Sequence, residues 1–393
     1  MAPAGVTQPI LDPLRVVMDR LDLPFHRREV PMGPAGRQEG RALPGSAREE
    51  RPIAGTIRAR RRILLICGSL NQTTIMHQVG GQLAHHECRY TPFYADGLLA
   101  GAERLGWLDF TIIGAGGRHR GLTDEYLRDQ HLPLDPGGRS GRYDLVLTCS
   151  DLLVQRNIRR TPTVLVQEGM TDPVGLSFHL VRWLGLPRWL ASTATTGLSR
   201  AYLKFCVASN GYRDLFVSHG VPADRIVVTG IPNFDNCRAF LDNDFPYRDY
   251  VLVATSDTRE TFKRDNRRRF LQEVAARARG RPLLFKLHPN EDPMRSEAEI
   301  RARFPEASVF TSGNTNHMIA NCQALITQYS SVVHVGLALG KECYSCFDLA
   351  ELGRLLPEQN GGRSAARIAR VCENVLAGER PPVELRPLLV GVP

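Results

Sequence analysis

No run of 18 or more apolar residues occurs in the chain, so the sequence predicts no membrane-spanning helix. Its opening, MAPAGVTQPILDPLRVVMDR, is broken by Pro, Asp and Arg, which leaves no apolar core for a secretory signal. Aromatic residues are sparse at 7 %, and no internal repeat is visible. Charge of one sign is not concentrated enough for a nucleic-acid surface. The net charge is +9, and residues 1–62, with 12 Arg against 7 carboxylates, hold just over half of it. Nucleic acid is therefore not an expected partner, whereas a phosphate-rich small ligand or an anionic membrane surface is compatible with the bias.

Metal-ligand spacing is also lacking. Cys343 and Cys346 form one C-x-x-C with no second pair, and a zinc site needs about four ligands. No D-x-D follows a strand, so neither a metal nor a bound cofactor is expected. The nine cysteines lie mostly in apolar runs (Cys67, Cys149, Cys206, Cys322) and read as buried small side chains of a reducing, cytoplasmic compartment.

What is present is a globular composition, 42 % hydrophobic and 23 % charged, in 393 residues, enough for two domains. Residues 1–61 read as a flexible Pro/Gly/Arg-rich arm, with a short helix near 11–21 and a basic RARRR at 58–62. Residues 62–241 alternate apolar strands with helical spans: RILLICG, FTIIGAGG, YDLVLTCS, TPTVLVQEGM and PADRIVVTGIPNFDN. Continuous apolar strands of this kind belong to parallel sheets buried on both faces. A linker, 242–249, leads to a second α/β domain, 242–362, which begins at YVLVAT, and 363–393 reads as a helix and tail.

The segment from Lys286 to Lys341 carries the most chemistry. The strand RPLLFKL ends in a His-Pro turn, KLHPN, and the strand CQALIT runs into a Ser-Ser pair that opens a helix. A helix N-terminus offers unpaired N–H groups to an anion. Ser330 or Ser331 can cap it and donate to a phosphate oxygen, and His288 can add a further donor. In the first domain, Glu168 in VQEGM follows a buried strand and lies beside Gly169, a usual position for a functional acid. Asp172 is a second candidate base. Either carboxylate could instead cap a helix.

On these motifs, most clearly over 160–350, the chain resembles the GT-B superfamily of nucleotide-sugar enzymes, two Rossmann-like domains facing a cleft. By motif it is similar to non-hydrolysing UDP-sugar 2-epimerases, CDP-glycerol transferases and bacterial sialyl- and Kdo-transferases. The resemblance implies a metal-independent glycosyltransferase moving a sugar from a nucleotide-sugar donor to a hydroxyl acceptor, saccharide or lipid-linked, in surface polysaccharide or glycolipid synthesis. It implies that His288, Asn290, Ser330, Ser331, Thr255 and Arg259 hold the nucleotide phosphates. Asn71, Gln72 and Thr73, in the first loop, would meet the acceptor, with His77 one turn on. Glu168 matches either the transferase or the epimerase acid. Gln167 departs from the transferase pattern, and GSLNQTT and TSDTRETF (255–262) depart from the epimerase pattern. Epimerisation, polyol-phosphate transfer and a non-catalytic nucleotide-binding protein remain the alternatives.

Three further stretches bear on the site. TGIPNFD (229–235) resembles a structural hinge of the same families, with Asn233 near the cleft. The Gly-rich IIGAGGRHRG (112–121) lacks the spacing of a dinucleotide fingerprint and reads as a loop. VRWLGLPRWL holds two of the three Trp with Arg182 and Arg188. It suits a lipid-headgroup or lipid-linked-acceptor contact, although its shortness favours a lid or core helix broken at Pro187.

Overall fold

The computed structural model describes residues 60–109, 111–114, 116–256, 259, 266–328 and 330–378. The arm, where a helix near 11–21 is expected, the first two residues of RARRR, Glu260 and residues 379–393 lie outside the described residues.

The first sheet has six parallel strands: β1 (Arg62–Cys67), β2 (Glu87–Pro92), β3 (Leu145–Thr148), β4 (Thr163–Val166), β5 (Lys204–Val207) and β6 (Ile226–Val228), in the order β2-β1-β3-β4-β5-β6. The helices between and beside them are α1 (Leu70–Gln82), α2 (Gly97–Arg104), α3 (Arg118–Asp129), α4 (Leu176–Leu184) and α5 (Asn210–Ser218). The second sheet holds β7 (Val251–Ala254), β8 (Leu283–Lys286), β9 (Ser308–Phe310), β10 (Ala324–Thr327) and β11 (Glu342–Tyr344). Its helices are α6 (Arg267–Ala278), α7 (Pro293–Arg303), α8 (Thr315–Asn321), α9 (Val333–Ala338) and α10 (Leu349–Arg354). The order β9-β8-β7-β10-β11 reverses direction between β7 and β10, the switch point at which open parallel sheets bind ligands.

The apolar runs become these strands because helices cover both faces of each sheet; Ile63 to Ile66 and Val251 to Val253 are at most 1 % exposed. Helix ends follow local chemistry. Ser69 accepts from the Gln72 N–H and Ser209 from the Tyr212 N–H, both as N-caps, while Gly220 (φ +101°) follows the end of α5.

The last helix, α11 (Ser364–Ala377), packs on α1 of the first sheet rather than on its own neighbours in sequence. Asp235, at the hinge, accepts from the Ser364 N–H at 2.7 Å and so caps α11 from 129 residues away. Beside it Gly230 has φ +81°, and a Cβ there would lie 2.2 Å from Ser364 Oγ. At the far end of α11, His85 Nε2 and His86 Nε2 both reach Glu373 Oε1, at 2.8 and 3.0 Å.

Two expectations fail here. The described part of FTIIGAGG is not a strand: 111–113 form bends, and Ile112 and Ile113 pack against a small apolar cluster around Phe93 and Val146 instead. Three glycines explain why. Any Cβ at Gly114, Gly116 or Gly117 would collide with Asp109 within 2.6 Å, so the chain folds tightly on itself and then opens α3. The first loop is also shorter than expected, because GSLNQTT turns helical at Leu70.

Candidate active site in the cleft

Glu168 leaves the end of β4 and its carboxylate meets the start of α1. Ser69 Oγ donates to Oε1 at 2.6 Å, and Gln72 Nε2 donates to Oε2 at 2.5 Å. Asn71 Nδ2 lies 3.5 Å from Oε1. The two strong donors fix the carboxyl plane and leave acceptor positions open. Binding Glu168 fixes the orientation of the Gln72 amide, and its Oε1 is left buried with no partner against Gly68, where a Cβ would sit 2.0 Å away. Gly68 is therefore required for Gln72 to reach Glu168.

Gln167, the departure from the transferase pattern, has a structural reason. Its Nε2 donates to the Gly169 carbonyl at 2.7 Å while its Oε1 accepts from the Ala208 N–H at 2.9 Å. An ionised carboxylate cannot donate, so only an amide satisfies both contacts. This staple shapes the Glu168-Gly169 turn.

Gly169 faces the second domain: a Cβ built there would lie 3.7 Å from Ser331 Cβ and 3.9 Å from Ser331 Oγ. The turn that carries the candidate acid and the Ser-Ser turn thus meet across the cleft, 162 residues apart in sequence. A second crossing lies alongside, where Asn290 Nδ2 is 3.3 Å from His119 Nε2 at the start of α3. Asn233 makes a third contact near the hinge, accepting from Gln78 Nε2 at 3.0 Å and donating to the Asn71 carbonyl at 3.1 Å.

The His-Pro turn is held from below. His288 N–H donates to Thr255 Oγ1 and Glu291 Oε2, each at 3.0 Å, and His288 Nδ1 accepts from the Asn290 N–H at 3.2 Å. With Nδ1 accepting, a neutral ring carries its proton on Nε2. Glu291 is wholly buried and also bonds the Arg267 guanidinium, the Thr255 hydroxyl and Ser296. Lys286 lies buried beside it and donates to the Leu287 carbonyl at 2.8 Å. Burial holds the Lys286 ammonium below its ordinary range, with Arg118 adding repulsion and Glu291 opposing both.

Several expected site residues have protein partners in the structure. Thr255 is buried, and its hydroxyl accepts from the His288 N–H and donates to Glu291. Arg259 makes a two-pronged pair with Glu299 at 2.9 and 2.8 Å. Thr73 is fully buried and donates to the Ser69 carbonyl at 2.8 Å, and Gln72 serves Glu168, so of the three first-loop residues Asn71 alone keeps partial exposure. Among the described residues, the Asp172 carboxylate accepts from Thr193 Oγ1 at 2.8 Å. His77 bonds Tyr126 at 3.0 Å, and burial lowers its pKa.

The Ser-Ser pair does not cap α9. That helix has six residues, its N-cap is Val332, and Ser330 and Ser331 precede it in a turn whose carbonyls accept from Val333 and His334. Helix-dipole attraction at so short a helix is small, so the two hydroxyls rather than the dipole are what this turn offers to an anion. His334 behind them is buried at 1 % exposure, against Tyr212 OH at 3.3 Å, and burial pushes its imidazole down to about 4. Sequence reasoning missed Arg118 and His119 because the Gly-rich stretch before them reads as a loop. It missed Glu291, although a Glu directly after His-Pro-Asn was the available signal.

Among the described residues, His85, His86 and Glu373 are the one set with ligating atoms within 4.8 Å of one another. They lie at the opposite end of the first sheet from the cleft, near the start of β1. His86 Nδ1 accepts from the Arg61 N–H at 3.3 Å, which leaves the ring proton on Nε2, facing Glu373. That tautomer suits a hydrogen-bonded clasp and opposes metal binding.

No family model and no curated protein matches the chain. Solved structures do. A Listeria monocytogenes protein described as a UDP-N-acetylglucosamine 2-epimerase aligns at TM-score 0.50 and 11 % identity, over 82 % of this chain and 99 % of that one. MnaA of S. aureus, solved with UDP, aligns at 0.50 and 11 %, over 81 % and 97 %. The wall teichoic acid polymerase TagF, soaked with CDPG, aligns at 0.43 and 11 %, over 81 % and 89 %. At such identity the likeness is one of architecture: the chain has the GT-B fold, two Rossmann-like domains facing a cleft.

Proposed function

We propose that the protein is a glycosyltransferase that moves a sugar from a nucleotide-sugar donor to a hydroxyl acceptor. The observation that carries this reading is the apposition of Glu168-Gly169 to Ser331 beside the His119–Asn290 crossing. It puts a positioned carboxylate on one wall and hydroxyl, imidazole and amide donors on the other. The donor phosphates would lie against Ser330, Ser331, His288 and Asn290, with Arg118 and His119 closing from the first domain. Glu168 would take the proton of the acceptor hydroxyl as the new C–O bond forms and the sugar–phosphate bond breaks. Charge on the departing nucleotide would be met by these side-chain and backbone donors. Glu168 is preferred to Asp172 because its donors aim it into the cleft, whereas Asp172 is turned toward Thr193. A fold neighbour solved with UDP is consistent with a nucleotide here.

Thermal stabilisation by UDP, CDP, CMP and GDP and their sugar conjugates tests the site, since a ligand of the native state raises Tm with concentration. One nucleotide should give a shift that is lost in His288→Ala and in Ser330→Ala/Ser331→Ala. Glu168→Gln should keep that shift and lose transfer. Turnover of a UDP-sugar without acceptor would instead mark an epimerase, and release of CMP from a CDP-polyol a polyol-phosphate transferase.

A further inference from the structure

The segment after Glu168 forms a projecting hairpin. Helix α4 is closed by Gly185 in the left-handed region (φ +64°), and a kinked 3-10 stretch, Arg188–Thr195, returns the chain. The hairpin has its own small core of Phe178, Val181, Ala191 and Ala194. That core uses one side of α4. On the opposite side, Leu176 and Trp183, two turns apart, are 66 % and 82 % exposed, followed by Leu184 at 54 % and Trp189 at 50 %. Val174 and Leu186 extend the patch. A water-facing surface of this composition needs a partner.

The charge around it identifies the partner. From Pro173 to Arg213 the sequence has no Asp or Glu, and it holds Arg182, Arg188, Arg200, Lys204 and Arg213. Arg182 donates to the His219 carbonyl at 3.2 Å and pairs with no carboxylate among the described residues. Arg188 is matched by the buried Asp151 at 3.1 Å, and the Asp172 carboxylate, at the base of the hairpin, accepts from Thr193 Oγ1 at 2.8 Å. His179 is exposed beside the apolar stripe, while His219 is buried against Phe178. Exposed Trp and Leu with Arg182 on the same helix, in a stretch of sequence free of acid, match the boundary between lipid headgroups and acyl chains, where indole rings are favoured and basic side chains meet anionic headgroups.

We infer that this hairpin, from Val174 to Trp189, docks the protein on a bilayer surface rich in anionic lipid, with Leu176, Trp183, Leu184 and Trp189 entering the interface. Docking is reversible and needs no membrane-spanning segment. The inference does not depend on the transfer reaction. Where that reading also holds, the reciprocal Asp172–Thr193 hydrogen bonds tie the hairpin's base to the turn that presents Glu168, and a lipid-borne acceptor would arrive beside it.

Sedimentation with phosphatidylglycerol-containing vesicles tests it, with pure phosphatidylcholine vesicles as the comparison. Wild-type protein should bind the anionic vesicles at least about tenfold more tightly, and the difference should fall as salt rises. Trp183→Ser/Leu176→Ser should lower that binding by at least about tenfold while leaving the melting temperature in place, because both side chains face water. In a Trp107→Phe background the remaining indole emission should shift to the blue on vesicle addition. Failure of the wild type to bind, equal binding to neutral vesicles, or undiminished binding by the double variant overturns the inference. So does a dimer by light scattering that the double variant dissolves, which would assign the patch to a second copy of the chain. None of these readouts requires nucleotide, so loss of the nucleotide site leaves this test intact.

Discussion

Replacing Glu291 by Ala should separate the stability of the second domain from its ligand chemistry. Four groups converge on this one carboxylate: the Arg267 guanidinium, the Thr255 and Ser296 hydroxyls and the His288 N–H. Its side chain is 0 % exposed and that of Arg267 is 7 % exposed. Breaking a buried ion pair from one side costs about 3–5 kcal/mol, because the surviving charge stays desolvated. Glu299, 3.8 Å from Arg267 Nε and 34 % exposed, remains as a partial partner and places the expected loss near ~3 kcal/mol. At about 2–4 °C per kcal/mol for a domain of middling size, Tm should fall by roughly 6–12 °C. Glu291→Gln keeps the volume and some of the bonds and should lose about half as much. Urea denaturation measures both. The second readout is nucleotide binding. If Glu291 acts by holding the His288 turn, Glu291→Ala and His288→Ala should each lose the nucleotide-induced Tm shift, and the double variant should lose little more. A cost below ~1 kcal/mol for Glu291→Ala would refute the claim that this buried cluster supports the turn.

Gln167→Glu exchanges an amide that both donates and accepts for a buried carboxylate that cannot donate, and should cost about 1–3 kcal/mol by denaturant titration. Glu373→Gln should weaken the seating of α11. Burial acts against the ionised Glu373, but His85 and His86 outweigh it and hold its carboxyl below the ordinary value of 4.5. The stabilisation is therefore present above that value and is lost as the pH falls through the depressed folded value. The deficit of Glu373→Gln relative to wild type should be present above about pH 5 and shrink below about pH 4. Gly169→Ala should be tolerated, since its Cβ would meet nothing closer than 3.7 Å, whereas Gly169→Leu should block ligand binding by filling the space before Ser331, with Tm little changed.

Much of the architecture was legible because parallel strands buried on both faces are plain apolar runs; RILLIC, TVLV, VLVA and ALIT each became a strand with the expected neighbours in sequence. Edge strand β2, ECRYTP, was not legible, since its polar, half-exposed residues lack both an apolar run and clean alternation. Helix α7 was missed because only Ser296 and Ile300 of its eleven residues are buried, leaving almost no apolar stripe to detect. FTIIGAGG misled for the converse reason: its isoleucines found apolar contacts without joining a sheet. In the site, local motifs announced Glu168 and His288 as candidates. Their supporters came from elsewhere in the chain: Ser69 from 99 residues before Glu168, and His119 from 171 before Asn290. No local pattern encodes such pairings.

Helix α11 has a consequence for how the molecule is made. Residues 364–377 complete the domain that begins at residue 62, being seated on α1 and capped by Asp235. During synthesis that first domain emerges early yet must wait, with the α1 surface uncovered, until the whole second domain has left the ribosome. The first domain to appear is thus the last to be finished. A stop codon anywhere before residue 364 would damage the half of the protein farthest from it in sequence, and the two halves cannot be produced as independent pieces by cutting at the linker.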